Sequence, residues 1–193
     1  MTAESLARSP IADRLDDLAR IAAASAGSVT VGHLPFLAQV DLRLEPAEAA
    51  RSPYPLPTEP NTAWEAGSRA ALWLGPDEWL VLGPPHAGAE IIAGLEVAFG
   101  SIPHSVVDVS ANRVALEISG PGAKELLSAG CSLDLDPRGG WIAGRCAQTL
   151  LARVPVILHE RPEATRVFVR PSFAGYLVDW LIHAAATLGP PAP

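Results

Sequence analysis

The five histidines and two cysteines of this chain are the residue types that could hold zinc or act as nucleophiles. A zinc site needs several such ligands at short spacing, whereas here they are scattered singly. His159-Glu160 matches the beginning of a zinc-protease helix motif. Pro162 would break that helix, however, and Glu163 stands where the second histidine is required. We therefore expect isolated surface or core histidines and no metal site.

A glycine-rich segment at 120–124, GPGAK, has the composition of a phosphate-binding loop. A Walker loop needs four residues between its glycines and a hydroxyl residue after the lysine, but Glu125 follows Lys124 and one residue separates the glycines. Glu125 also stands where a dinucleotide-binding fingerprint needs its third glycine. This segment is predicted to begin a short helix.

Two carboxylate pairs, Asp77/Glu78 and Asp134/Asp136, have the residue types for general acid–base chemistry. Both pairs lie in turn-like sequence, where solvated carboxylates are the usual case. The sequence also lacks the Gly-x-Ser-x-Gly segment that marks a serine hydrolase. The residue pattern alone therefore contains no recognisable catalytic constellation.

The elements that position these residues begin with a predicted helix. Ser9-Pro10 is a typical helix start, and apolar residues recur at helical spacing before Gly27, namely Ile11, Leu15, Leu18 and Ile21. Alternating strands are predicted at 29–31 and 40–44. The proline-rich segment 46–60 is predicted to be an extended arm or surface loop, because its prolines exclude helix and central strand.

From Arg69 onward the pattern is regular. It predicts strands at 70–74, 79–82, 105–109, 113–118, 146–152, 154–159 and 166–170, and helices at 87–99, after Gly120-Pro121 and from Ser172. This order predicts an α+β protein, with mainly antiparallel sheets that carry helices on one face and ferredoxin-like split βαβ elements. We expect one compact unit, in which residues 1–69 form an N-terminal helix, strands and arm and residues 70–193 form the core.

The composition indicates a protein that contacts partners. Charged residues make up 18% of the chain, below the roughly 25% of a typical soluble domain. The mean hydropathy of +0.22 leaves little charge to cover the surface. An apolar patch usually marks a partner contact, although an alanine-rich composition would also raise the hydropathy.

The net charge of −7 and the single lysine, Lys124, argue against nucleic-acid binding. The apolar runs, such as 181–186, are far shorter than the roughly 20 residues that span a bilayer, so we expect no membrane insertion. No secretory pattern is found at the N-terminus. We therefore expect a cytoplasmic protein in which Cys131 and Cys146 are free thiols.

Three ordered stretches resemble the gamma subunit of heterotetrameric sarcosine oxidase. The first is LGPDEWL at 74–80. The second is VDVSANR at 107–113, followed by ISGPGA at 118–123 and LLSAGCSLDL at 126–135. The third is GRCAQT at 144–149, completed by VRPSFAGYL at 169–177. The resemblance covers about 70–188, in order and at plausible spacing.

That subunit family is itself similar to the folate-binding region of aminomethyltransferase, the glycine-cleavage T-protein. The segments that resemble the T-protein are DVS at 108–110, SGPGA at 119–123 and AQT at 147–149. The T-protein continues into a glycine-rich hairpin that ends in an Asp-Asp pair and supplies its catalytic carboxylate. Residues 150–158 hold neither the glycines nor an acid, so the resemblance implies the T-protein folate-binding fold without that carboxylate.

The resemblance implies a non-catalytic, structural subunit of a sarcosine oxidase. That enzyme oxidises sarcosine to glycine, passes the methyl carbon to tetrahydrofolate or releases it as formaldehyde, and forms hydrogen peroxide. The resemblance also implies alpha, beta and delta subunits as partners. Alpha and beta would hold FAD, FMN, NAD and tetrahydrofolate, and delta would hold zinc. No cofactor is implied for this chain.

Two alternatives remain open. In the first, the chain is a folate-binding or aminomethyltransferase-like protein, and Asp108, Asn112, Arg113 and Gln148 form a folate-like pocket near the strand ends. Turn formation by Asp108 and Asn112 and surface pairing by Arg113 would explain the same residues structurally. In the second, the chain is the equivalent subunit of another N-methyl amino-acid dehydrogenase.

Overall fold

The computed structural model of this chain describes residues 8–188, which form four α-helices and ten β-strands. In chain order these are α1 (Leu15–Ala24), β1 (Thr30–Leu34), β2 (Ala38–Leu44), β3 (Ala63–Ala66), β4 (Arg69–Gly75), β5 (Glu78–Gly83), α2 (Gly88–Phe99), β6 (His104–Asp108), β7 (Val114–Ser119), α3 (Ala123–Ser128), β8 (Cys146–Leu151), β9 (Val154–Glu160), β10 (Ala164–Val169) and α4 (Pro171–Ala185). None of these helices is long and apolar enough to cross a membrane.

The strands form two five-stranded antiparallel sheets. The strand order is β1-β7-β10-β9-β8 in the first sheet and β3-β4-β5-β2-β6 in the second. Because β2 lies between β5 and β6 and runs antiparallel to both, β5, α2 and β6 form a split βαβ unit. The predicted α+β class with antiparallel sheets is confirmed. Strands from the first 69 residues enter both sheets, since β1 pairs with β7 and β2 with β5.

The two sheets pack face to face, and the helices cover their outer faces. Between the sheets lie apolar side chains that include Leu72, Leu80, Ile157 and Phe168. Helices α1, α3 and α4 cover the first sheet, and α2 covers the second. The buried apolar side chains therefore fill three spaces, one between the sheets and one under the helices on each side. Burying one such large side chain stabilises a fold by about 1.5–3 kcal/mol.

The N-terminal helix starts later than the sequence predicts. A 3₁₀ turn at Ala12–Arg14 precedes α1, and the Ser9 hydroxyl accepts a hydrogen bond from the Ile11 amide at 3.3 Å. A 3₁₀ turn has about three residues per turn, which changes the angular position of the following side chain. Ile11 is therefore buried, whereas Leu15, predicted on the same face, is 45% exposed.

The proline-rich segment, predicted to be an extended arm or surface loop, lies on the second sheet and is partly helical. Pro46 begins a 3₁₀ helix that ends at Arg51, which is possible because the first turn needs no amide donor from proline. Ala49 and Leu56 are buried against the second sheet. The segment is a packed cover of that sheet, and its prolines restrict the chain without keeping it away from the core.

Residues 109–113 carry the chain from β6 in the second sheet to β7 in the first. The backbone of Gln39 fixes this crossover. Its N–H donates to the Ser110 hydroxyl at 3.0 Å, and its carbonyl oxygen accepts from the Val109 N–H at 2.8 Å. The crossover leaves an open cleft where the ends of the two sheets meet.

Candidate functional site

A cavity of about 720 Å³ occupies this cleft. It is lined by β1, the turn before β2, the N-terminus of α2 and the crossover. Leu34, Leu37 and Val114 supply apolar wall, and Asp108 and Arg113 supply charged groups. Small-molecule sites in proteins have volumes of about 300–1,000 Å³ and the same mixture of apolar wall and few polar groups.

The cavity brings together two of the four residues predicted for a folate-like pocket, Asp108 and Arg113. Asn112 is exposed outside it and accepts a hydrogen bond from Nη1 of Arg170 at 3.1 Å. Gln148 lies on the edge strand β8, and its Nε2 donates to the carbonyl oxygen of Leu74 at 3.0 Å. This contact joins the first sheet to the second, so Gln148 has a structural partner.

Asp108 lies at the N-terminal end of α2. Its Oδ1 accepts a hydrogen bond from the Ser110 amide at 2.8 Å. A Cβ placed on Gly88, the first residue of α2, would lie 2.4 Å from Oδ2 of Asp108. The glycine therefore lets the carboxylate approach the helix, where the helix dipole stabilises a negative charge. Asp108 has a structural role whether or not a ligand is bound.

Arg113 is half-buried, and its guanidinium has no hydrogen bond or ion pair with any residue in the range 8–188. Burial is the main cause that lowers its pKa from the ordinary value, and the positive charge of Arg170 acts in the same direction. Asp41 and Glu78 attract the charge from a distance and oppose this effect. The cavity wall therefore holds a partly desolvated cation without a direct partner.

Phe36 and His86 stack at the cavity, with ring centroids 5.8 Å apart and planes inclined by 23°. Both residues have positive φ angles, 56° and 67°. Non-glycine residues in this region cost of order 1 kcal/mol or more, and such strain concentrates at binding sites. Sequence reasoning missed both residues, because nothing in the pattern connects two positions so far apart in the chain.

Ser9 and His33 form a second pair in the cavity wall that the sequence did not indicate. The Ser9 hydroxyl and Nε2 of His33 are 3.1 Å apart, the arrangement of a nucleophile and a base. Burial lowers the pKa of His33. A hydrolytic triad also requires a group that orients the imidazole, and no described carboxylate bonds to this ring. The Ser9 hydroxyl instead serves the start of the N-terminal helical turn.

The titratable side chains between the sheets bind one another. Arg161 donates to both carboxylate oxygens of Glu65 at 2.9 Å and to Glu117 at 2.7 Å. Arg166 donates to Glu117 at 3.0 Å. His159 is 1% exposed, with Nε2 3.8 Å from Glu65, and burial lowers its pKa to about 4. This cluster connects β3 of the second sheet to three strands of the first.

A second polar cluster surrounds the buried carboxylate of Glu160. Lys124 forms an ion pair with it, and Trp141 Nε1 and the Thr165 hydroxyl donate to it at 2.9 and 2.7 Å. The lysine of the glycine-rich segment thus neutralises a buried acid. Its ion pair explains its position without a phosphate ligand.

The carboxylate pairs of the sequence also have structural partners. Asp77 and Glu78 lie 3.4 and 2.8 Å from the guanidinium nitrogens of Arg43. Asp136 accepts from the Arg138 amide at 2.8 Å, and the hydrogen bonds of Arg138 lower the pKa of Asp136 to about 2. Within residues 8–188, no group of three or more His, Cys, Asp or Glu side chains could hold a metal ion.

The two cysteines are not bonded to each other. Cys146 is buried, and its thiol donates to the carbonyl oxygens of Thr62 at 3.1 Å and Trp73 at 3.4 Å. Burial raises the pKa of this thiol to about 12. Cys131 is partly exposed, and its sulfur lies 4.0 Å from the Thr149 hydroxyl.

Comparison of the sequence with known families identifies a related family. A model of the sarcosine oxidase, gamma subunit family matches residues 54–187. The sarcosine oxidase subunit gamma of an Arthrobacter species is 36% identical over 196 residues, which cover 97% of this chain and 94% of the relative. The subunit of the same name from Corynebacterium sp. strain U-96 is 35% identical, covering 93% and 90% of the two chains.

Solved structures agree with this relationship. A chain of the heterotetrameric sarcosine oxidase from Corynebacterium sp. U-96, solved with pyrrole 2-carboxylate, superposes with a TM-score of 0.83 at 34% identity. The match covers 97% of this chain and all of that chain. The glycine-cleavage aminomethyltransferase T of Bartonella henselae superposes with a TM-score of 0.63 at 11% identity, over 86% of this chain and 48% of that protein. The second likeness shows a shared fold, as the T-protein resemblance predicts.

Proposed function

The chain belongs to the sarcosine oxidase gamma subunit family, and we propose that it is the non-catalytic, structural subunit of a heterotetrameric sarcosine oxidase. One observation supports a structural role above others. Three polar side chains that the sequence offered for a folate or phosphate site have structural partners within the chain. Asp108 lies against the start of α2, Gln148 connects the sheets and Lys124 neutralises a buried acid. The match to gamma subunits over 97% of the chain supports the same assignment.

In this proposal, the assembled enzyme oxidises sarcosine to glycine and forms hydrogen peroxide. The methyl carbon passes to tetrahydrofolate or leaves as formaldehyde. The partners are alpha, beta and delta subunits, which hold FAD, FMN, NAD, tetrahydrofolate and zinc, and the assembly works in the cytoplasm. Tetrahydrofolate is assigned to the partner subunits because the residues predicted for a folate-like pocket do not come together. Asn112 and Gln148 lie away from the cavity that Asp108 and Arg113 line.

Exposed apolar side chains on α4 and on the edge strand β8 support contacts with these partners. Phe173 and Tyr176 on α4 are 38% and 50% exposed, and Leu150 on β8 is 49% exposed. The Tyr176 hydroxyl donates to the carbonyl oxygen of Ala152, in the turn that follows β8, and so connects the helix to this edge. Apolar side chains left at a surface are typical of partner contacts.

Co-purification tests the structural role. An affinity-tagged chain, expressed in its native host, should recover alpha, beta and delta subunits in equal amounts, as identified by mass spectrometry. The recovered complex should oxidise sarcosine, and omission of this chain from recombinant co-expression should reduce assembly. Recovery of the chain alone from the host would contradict the proposal.

Substitutions of the Ser9–His33 pair test the non-catalytic role separately. In the assembled oxidase, Ser9→Ala and His33→Gln should leave kcat for sarcosine within about twofold, because a residue outside the chemistry does not alter the barrier. A fall of a hundredfold or more in a fully assembled variant would give this chain a catalytic role. Parallel assays with other N-methyl amino acids would distinguish sarcosine oxidase from a related dehydrogenase.

A further inference from the structure

The half-buried guanidinium of Arg113 is the strongest unexplained feature of the cavity. A charge that loses water is normally paired with an opposite charge, because desolvation is costly. Arg113 stays protonated throughout the physiological pH range and has no direct partner among residues 8–188. Arg113 is thus a cation without a counter-charge, and it lines a cavity that is large enough to hold an anionic ligand.

The charges that line the cavity favour a ligand with a single negative charge. Arg8 and Arg113 supply two guanidinium groups, and Asp108 is the carboxylate among the described lining residues. Because Asp108 already accepts the Ser110 amide and faces the start of α2, it does not neutralise Arg113. A monoanion balances the remaining charge, whereas a dianion such as phosphate would face repulsion from Asp108.

The rest of the wall favours a flat or apolar body on that anion. Leu34, Leu37 and Val114 line the cavity, beside the stacked rings of Phe36 and His86. An apolar surface of this kind provides most of the binding free energy of small ligands, and a few polar groups fix their orientation.

Gln39 holds the cation in place. Its Nε2 donates to the carbonyl oxygen of Arg113 at 2.9 Å and to that of Ser110 at 3.4 Å. The side chain is buried, and its Oε1 accepts no hydrogen bond from any described residue. The crossover is therefore rigid at Arg113, and the wall contains a second polar group without a partner.

We propose that this cavity binds a small organic monocarboxylate with a flat or apolar body, whose carboxylate pairs with Arg113. Guanidinium and carboxylate groups match in a bidentate, planar arrangement, which gives both affinity and orientation. The site goes beyond the structural role proposed above and does not depend on it. A side chain from a partner subunit is the competing occupant, but the volume and the concave, two-sheet wall fit a small molecule better.

Crystals of the assembled oxidase soaked with 4-bromobenzoate test the site, because the bromine locates the probe. The expected result is anomalous density in this cavity with the carboxylate against Arg113. Neutral 4-bromobenzamide, which has the same shape, should give no density there. If a partner side chain fills the cavity, or if the amide binds equally well, the proposal is wrong.

Equilibrium dialysis of the same complex with radiolabelled benzoate measures the binding in solution. Wild-type oxidase should bind one equivalent more per gamma chain than Arg113→Gln, and Arg113→Lys should recover part of this affinity. The Arg113 side chain makes no hydrogen bond or ion pair with residues 8–188, and its carbonyl bond to Gln39 does not involve the guanidinium. Its substitution should therefore not disturb folding, and subunit composition on gel filtration checks this. Arg170→Gln, which removes a nearby guanidinium outside the cavity, should bind within twofold of wild type. Equal binding by wild type and Arg113→Gln would overturn the proposal.

Discussion

Nε1 of Trp79 donates a hydrogen bond to the carbonyl oxygen of Pro57 across 2.7 Å. Trp79 lies on β5 and is fully buried, and Pro57 belongs to the proline-rich cover of the second sheet. A buried indole N–H needs an acceptor, and here the acceptor comes from the segment that shields the ring. The cover and the core therefore stabilise each other.

Replacing Trp79 with Phe should destabilise the purified chain by about 1–3 kcal/mol, because the Pro57 carbonyl loses its donor and part of the core volume is lost. Urea unfolding measures this change. Loosening of the cover should also allow trypsin to cleave after the exposed Arg51. Trp180→Phe, at a partly exposed position, is the matched control and should cost less than about 1 kcal/mol. Equal stability of wild type and Trp79→Phe would show that the cover does not depend on this contact.

This segment also shows why part of the fold could be predicted and part could not. Its prolines predict that it contains no helix or central strand, and the structure has neither an α-helix nor a strand there but does form a 3₁₀ helix at Pro46–Arg51. The contact of Leu56 and Pro57 with a tryptophan on β5 depends on the tertiary arrangement, about which local composition carries no information. The hairpin of β4 and β5, by contrast, follows from two apolar runs on either side of the turn at Pro76-Asp77, and the structure confirms it.

The cavity was less predictable than the fold. Asp108 and Arg113 were recognised because they adjoin strand ends within one motif. Phe36 and Gln39 lie at the start of β2 and His86 follows β5, and these distant segments meet because β2 pairs with β5. A periodic pattern predicts that a strand forms, but the sheet that it joins depends on long-range pairing.

Gly88→Ala should destabilise the chain by about 1–3 kcal/mol, since the added Cβ would lie 2.4 Å from Oδ2 of Asp108. Alanine normally stabilises a helix relative to glycine, so a loss of stability identifies the steric contact. The double variant Gly88→Ala/Asp108→Ala removes the clash and should recover part of the loss. Urea unfolding of the four proteins in this cycle measures the coupling between the two residues. Additive effects would contradict a direct contact.

The thiols of Cys131 and Cys146 should differ strongly in reactivity. Burial raises the pKa of Cys146 to about 12, so that almost none of it is thiolate at pH 8. Iodoacetamide should therefore label Cys131 and leave Cys146 unmodified in the native chain, as measured by mass spectrometry of the peptides. In denaturant without reductant, both should react. Labelling of native Cys146 at the rate of Cys131 would contradict the buried position.

The ion pair between the partly exposed Lys124 and the buried Glu160 should be more costly to break than to replace. Lys124→Met leaves Glu160 charged and buried, and should destabilise the chain by about 3–5 kcal/mol. The double variant Lys124→Met/Glu160→Gln removes both charges and keeps an acceptor for Trp141, so it should be more stable than the single variant. Unfolding in urea at pH 7 compares the proteins. A double variant that is less stable than Lys124→Met would show that the two charges do not act as a pair.

Acid should destabilise the chain through His159. Burial lowers the pKa of this histidine from 6.5 to about 4, so between these pH values the unfolded chain binds a proton that the folded chain does not. Stability is therefore fully present above pH 6.5 and falls as the pH decreases, by about 2 kcal/mol between pH 7 and pH 5 for this group. His159→Gln cannot titrate and should lose about 2 kcal/mol less over that interval. Urea unfolding at both pH values measures the difference, and His183→Gln, on the exposed side of α4, should behave as wild type. Parallel pH profiles for wild type and His159→Gln would exclude His159 as the source of the acid sensitivity.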